Sequence, residues 1–221
     1  MTPESLTRLP CSGNLAAMQT LGLSHESKRS DGRLKSLFWP TVENAWDVDY
    51  LGQQGFWICF LIAVLLFVFS LVSGSPLLIA VGFLGGLLYF TGGMGVREKC
   101  WPAAAMILAC YFVDTLATML TVPFLTPGQM VRLVVLGLLL TNLRATFIAS
   151  EWKPASEEED MPTRFNESLR DKLVDAWPPK LWPRLQIPFY VLSVLWLIMS
   201  LLGLFALIMV RMGIVHLPGV H

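Results

Sequence analysis

Two ionisable side chains inside otherwise apolar segments carry the clearest chemical potential in this chain. Asp114 lies in a run from about Cys100 to Leu125, and Arg144 in a run from Met130 to about Ala149. Charges within a lipid-spanning segment are expensive, so they mark ion or proton pathways, counter-ions or internally satisfied pairs. The turn Thr126-Pro127-Gly128-Gln129 joins the two runs as an antiparallel hairpin. Residues whose numbers sum to about 255 then stand at equal height, which sets Asp114 opposite Thr141 and Arg144 about 4.5 Å deeper. A guanidinium reaches that far.

The candidate polar site is therefore Asp114, Arg144, Thr141, Asn142, Tyr111 and Thr118, a stripe between the third and fourth apolar runs. Two chemistries fit it. The pair can fix helix register, each charge satisfying the other. Alternatively, Asp114 is a proton or cation site with Arg144 as counter-ion or anion ligand. Arg144 also lies near the end of its run, where it can snorkel outward and leave Asp114 bonded to threonines.

The elements that hold these residues follow from composition. Hydrophobic residues make up 54% of the 221 and charged residues 14%, too few charges to cover a soluble surface. Mean hydropathy is +0.59. Sixteen Lys and Arg balance sixteen Asp and Glu, which argues against a nucleic-acid partner recruited by bulk positive charge. The expected fold is an all-α integral membrane protein with five transmembrane helices, about 55–72, 77–96, 100–125, 130–149 and 187–210. Short cytoplasmic amphipathic helices accompany them. An odd number of spans puts the termini on opposite sides.

Two segments flank the spans. Residues 1–54 begin as a tail of disordered composition, and Val42, Ala45, Trp46 and Tyr50 then recur at helical spacing, predicting an interfacial helix over about 40–51 that stops at Gly52. Residues 1–54 lack an apolar stretch of the secretory-leader kind, so the first span is expected to direct insertion itself. In the loop 150–186, Phe165, Leu169 and Leu173 predict an amphipathic helix over about 162–177, ending at Trp177-Pro178-Pro179. Residues 211–221 form the opposite tail.

Orientation follows from Lys and Arg in short connections. Thirteen of them share the side of the N-terminus: Arg8, Lys28, Arg29, Arg33, Lys35, Arg97, Lys99, Lys153, Arg164, Arg170, Lys172, Lys180 and Arg184. Only Arg132 and Arg211 stand at the other side. The expectation is a multi-pass cell-membrane protein with its N-terminus in the cytoplasm and its C-terminus outside.

Packing signals and missing signals complete the reading. Gly82 and Gly86 form a G-x-x-x-G pattern, and Gly137, Thr141 and Ala145 a small-residue ridge, both suited to close helix approach. Cys11, Cys59, Cys100 and Cys110 have no metal spacing, and with Cys11 and Cys100 on the reducing side no structural disulfide is expected. No nucleophile, zinc-protease, phosphate-loop or dinucleotide motif occurs, so neither a cofactor nor a catalytic residue is indicated. The expected partners are the lipid bilayer and either another membrane protein or a second copy of the chain. The resulting functional expectation is a non-enzymatic scaffold, accessory or assembly subunit. The alternative is a small transporter or ion-coupled carrier using the Asp/Arg pair.

Overall fold

A computed structural model describes residues 42, 45–122, 126–151, 172–212 and 214. Among these it is helical, without strands: α1 (Ala45–Val72), α2 (Pro76–Arg97), α3 (Trp101–Thr121), α4 (Pro127–Glu151), a π-helical turn (Lys172–Ala176) and α5 (Trp177–Arg211). Five of these helices are long and apolar enough to cross a membrane. Residues 1–41, which carry the tail of disordered composition, and 152–171, which carry most of the amphipathic segment, lie outside the described residues.

Two element boundaries differ from the sequence expectation. No break separates an interfacial helix from the first span, because α1 runs unbroken through Gly52. An isolated glycine lowers helix stability by only about 1 kcal/mol, which packing of the flanking turns outweighs. Likewise, Trp177-Pro178-Pro179 starts a helix instead of ending one. Proline is favoured in the first turn, where its missing N–H would have no intrahelical partner, and Pro178 sits there on α5. Pro183 and Pro188 lie farther along the same helix.

Helix α2 is the centre of the bundle, touching α1, α3, α4 and α5. Helices α1 and α4 also pack together, as do α3 and α5, which run parallel. Glycines permit the closest approaches. A Cβ added at Gly82 would stand 2.2 Å from Ser70 Cβ on α1, and one at Gly86 3.2 Å from the Ala63 carbonyl oxygen. Gly95 lies just as tightly against the Trp182 indole of α5 and Ala103 of α3.

The core sits in one half of the bundle. Phe56, Leu88, Met94, Ile107, Trp182 and Phe189 are buried, and all stand in the half nearest the α1 N-terminus and the α2–α3 turn, here the near half. Beyond it the packing opens. In the far half, Leu77, Leu78, Val81, Phe83 and Leu84 of α2 are exposed, with Leu201, Leu202, Phe205 and Ile208 of α5.

Candidate functional site

The Asp114 carboxylate takes its hydrogen bonds from α5. Ser200 Oγ donates to Oδ1 at 3.0 Å and Trp196 Nε1 to Oδ2 at 3.4 Å. The Tyr89 hydroxyl of α2 is directed at the same carboxylate, and Arg132, in the second turn of α4, is near enough for its charge to act on Asp114 and Tyr111. Asp114 therefore joins α3 to α5 by side-chain hydrogen bonds.

The other residues of the expected polar stripe are arranged differently. Thr118 donates to the Asp114 carbonyl, Thr141 to Gly137 and Asn142 Nδ2 to Leu138, each one turn back on its own helix. Such back-bonding occupies the side-chain donor within its own helix, while the buried Asn142 Oδ1 has no hydrogen-bond partner among the described residues. Tyr111 packs edge-on to Tyr89 with centroids 6.3 Å apart. Asn142 is buried where α4 meets α1 and α2: a Cβ at Gly55 would lie 2.9 Å from Asn142 Cγ and 2.7 Å from Val96 Cγ1. Arg144 is half-buried on α4 and is not among the hydrogen-bond donors to Asp114.

A second polar centre closes the near half. Arg97, only 8% exposed at the end of α2, forks onto Asp49 of α1 through Nη1–Oδ1 at 2.7 Å and Nη2–Oδ2 at 3.3 Å. Its Nη2 also meets Asp175 Oδ1 at 2.5 Å, and its Nε donates to the Val174 carbonyl at 3.3 Å. One guanidinium thus joins α1, α2 and the π-helical turn that leads into α5. Planar, fixed donors suit this bidentate geometry better than an ammonium would. Next to it, burial pushes the Glu98 carboxyl up to about 7, against the pull of Arg97 and Lys99.

Sequence reasoning missed both sets of partners. Arg97 entered only as a loop charge. Ser200 and Trp196 sit in the most uniformly apolar span, yet Ser193, Trp196 and Ser200 recur at spacings of three and four, the mark of one helix face. That face meets α3: the Cys110 thiol lies 3.8 Å from the Ser193 carbonyl, and the Tyr190 hydroxyl 3.4 Å from Cys100 Sγ.

Cysteine usage is corrected in one respect. Cys59 and Cys110 are buried free thiols, whereas Cys100 is disulfide-bonded, contrary to expectation. Spacing along a chain does not report which sulfurs folding brings together. Among the described residues no group of His, Cys, Asp and Glu could hold a metal ion. Comparison of the chain with protein-family models, curated proteins and solved structures finds no match.

Proposed function

We propose that the chain is a non-enzymatic multi-pass membrane subunit, a scaffold or accessory protein that docks through the far half of its bundle. The observation that carries this reading is the asymmetry of packing. The near half is closed around a buried core and the Arg97 clamp, whereas far-half turns of α2 expose Leu77, Leu78, Val81, Phe83 and Leu84 on several faces at once. Membrane helices associate by close packing and small residues, not by a hydrophobic drive between helices. An open set of helix ends next to a closed set fits a surface completed by another protein. In this reading the protein lies in the cell membrane with its N-terminus in the cytoplasm, which the distribution of Lys and Arg supports.

Photo-crosslinking amino acids placed at Phe83 and at Phe205 in living cells test the proposal. A discrete protein adduct of constant mass at one or both positions is expected. Lipid adducts alone, at both positions, would refute docking through this half.

A further inference from the structure

A groove of about 350 Å3 runs between α1 and α4, with Tyr50, Gln53, Gln54, Trp57, Ile58, Leu61 and Leu138 in its walls. Its volume lies within the roughly 300–1,000 Å3 range of ligand pockets. Its chemistry is sorted along α1. Tyr50, Gln53 and Gln54 stand at the near end, in the first turns of the span that begins at Val48, and Ile58 and Leu61 stand deeper. Leu138 of α4 closes the apolar part. From Gln54 to Leu61 the helix rises about 10 Å, within the roughly 15 Å depth of one leaflet's hydrocarbon.

We propose that this groove is a binding site for one phospholipid of the near leaflet. The match is of polarity with depth along α1. Phenol and amide groups lie at the depth of the glycerol esters and phosphate, where they donate and accept hydrogen bonds, and aliphatic side chains lie where an acyl chain descends. Asp49, the nearest acid on α1, is engaged by Arg97, and the groove walls carry no formal charge. Recognition is therefore by hydrogen bonding and shape, and it does not discriminate between zwitterionic and anionic headgroups. The occupant is distinct from the lipid that merely wets α5, whose exposed face offers Leu201, Leu202 and Phe205 without a polar end.

The test uses the full chain in phosphatidylcholine vesicles containing a trace of phosphatidylcholine with a photoreactive acyl chain, with adducts mapped by mass spectrometry. Labelling at residues 53–61 is expected to exceed that at residues 201–208 several-fold and to saturate with increasing probe. Unlabelled phosphatidylcholine and phosphatidylglycerol are expected to compete equally. Leu138→Trp, which fills the apolar end, should reduce groove labelling and leave α5 labelling unchanged. Equal, unsaturable labelling of both regions would overturn the proposal, as would full groove labelling in a folded Leu138→Trp variant. Should that variant fail to fold, saturation in the wild-type chain decides. A strong preference for phosphatidylglycerol would overturn recognition by neutral groups.

Discussion

Arg97 shows what a single side chain does in this bundle. Its guanidinium is buried between two carboxylates from different elements, and removing one member of a buried ion cluster leaves the others uncompensated. Arg97→Met is expected to destabilise the protein by about 3–5 kcal/mol, and Arg97→Lys by less, since the charge remains while the fork is lost. Thermal unfolding in detergent measures both. Glu98 supplies a pH dependence. Its carboxyl titrates at about 7 in the folded chain, against an ordinary value of 4.5. The folded state thus binds the proton more tightly than the unfolded one. Stability from this group is fully present below about pH 4.5 and is lost as pH rises through about 7. Glu98→Gln should flatten that slope and raise the melting temperature at pH 8. An unchanged slope would show that Glu98 is not its source. The depth of Asp114 was legible in the sequence because a lone acid in an apolar run is conspicuous. Its partners were not, since hairpin arithmetic relates only consecutive helices and Ser200 lies on α5, 86 residues away.

At the scale of elements, glycine determines how closely helices approach. The α1–α2 hairpin is held in its far half by the contact of Gly82 with Ser70, where even a methyl group would collide. Gly82→Ala should cost about 1–3 kcal/mol through overpacking, and Ser70→Gly in the same chain should restore most of it. A double-mutant cycle checks this, with additive losses counting against the contact. The G-x-x-x-G spacing was visible in the sequence, but the surface it meets was not. Ser70 is one polar residue in an apolar span, and nothing in its own neighbourhood marks it as the facing position. Helix boundaries were obscured for a related reason. Gly52 and the Trp177-Pro178-Pro179 segment are local stop signals, and tertiary packing and first-turn geometry override them in α1 and α5. The five apolar spans were legible throughout, because length and absence of charge are properties of composition and need no knowledge of neighbours.

For the whole molecule, orientation and the use of its charges are the central matters. The proposed orientation puts the α2–α3 turn in the cytoplasm, while Cys100 at that turn is disulfide-bonded, a state favoured by oxidising compartments. The two point in opposite directions, and alkylation of acid-quenched, denatured cells without prior reductant separates them: a free Cys100 thiol would support the proposed orientation. Finding it oxidised there would place this face outside. The same frame decides between a fastening and a conducting role for the intramembrane acid. Asp114 accepts hydrogen bonds from Ser200 on Oδ1 and from Trp196 on Oδ2; an amide oxygen can accept the Ser200 bond, but the amide nitrogen beside Trp196 Nε1 is itself a donor. Asp114→Asn should therefore fold and retain its crosslinked partner while losing the Trp196 bond, whereas Asp114→Leu leaves two donors unpaired at a cost of about 1–3 kcal/mol each. The most direct test of the claim that buried charge here fastens helices is proton and sodium uptake by vesicles carrying the purified chain. Uptake equal to that of empty vesicles, in both wild type and Asp114→Asn, is the expected result. Uptake well above that background, abolished in a folded Asp114→Asn variant, would contradict it and establish an ion-coupled carrier.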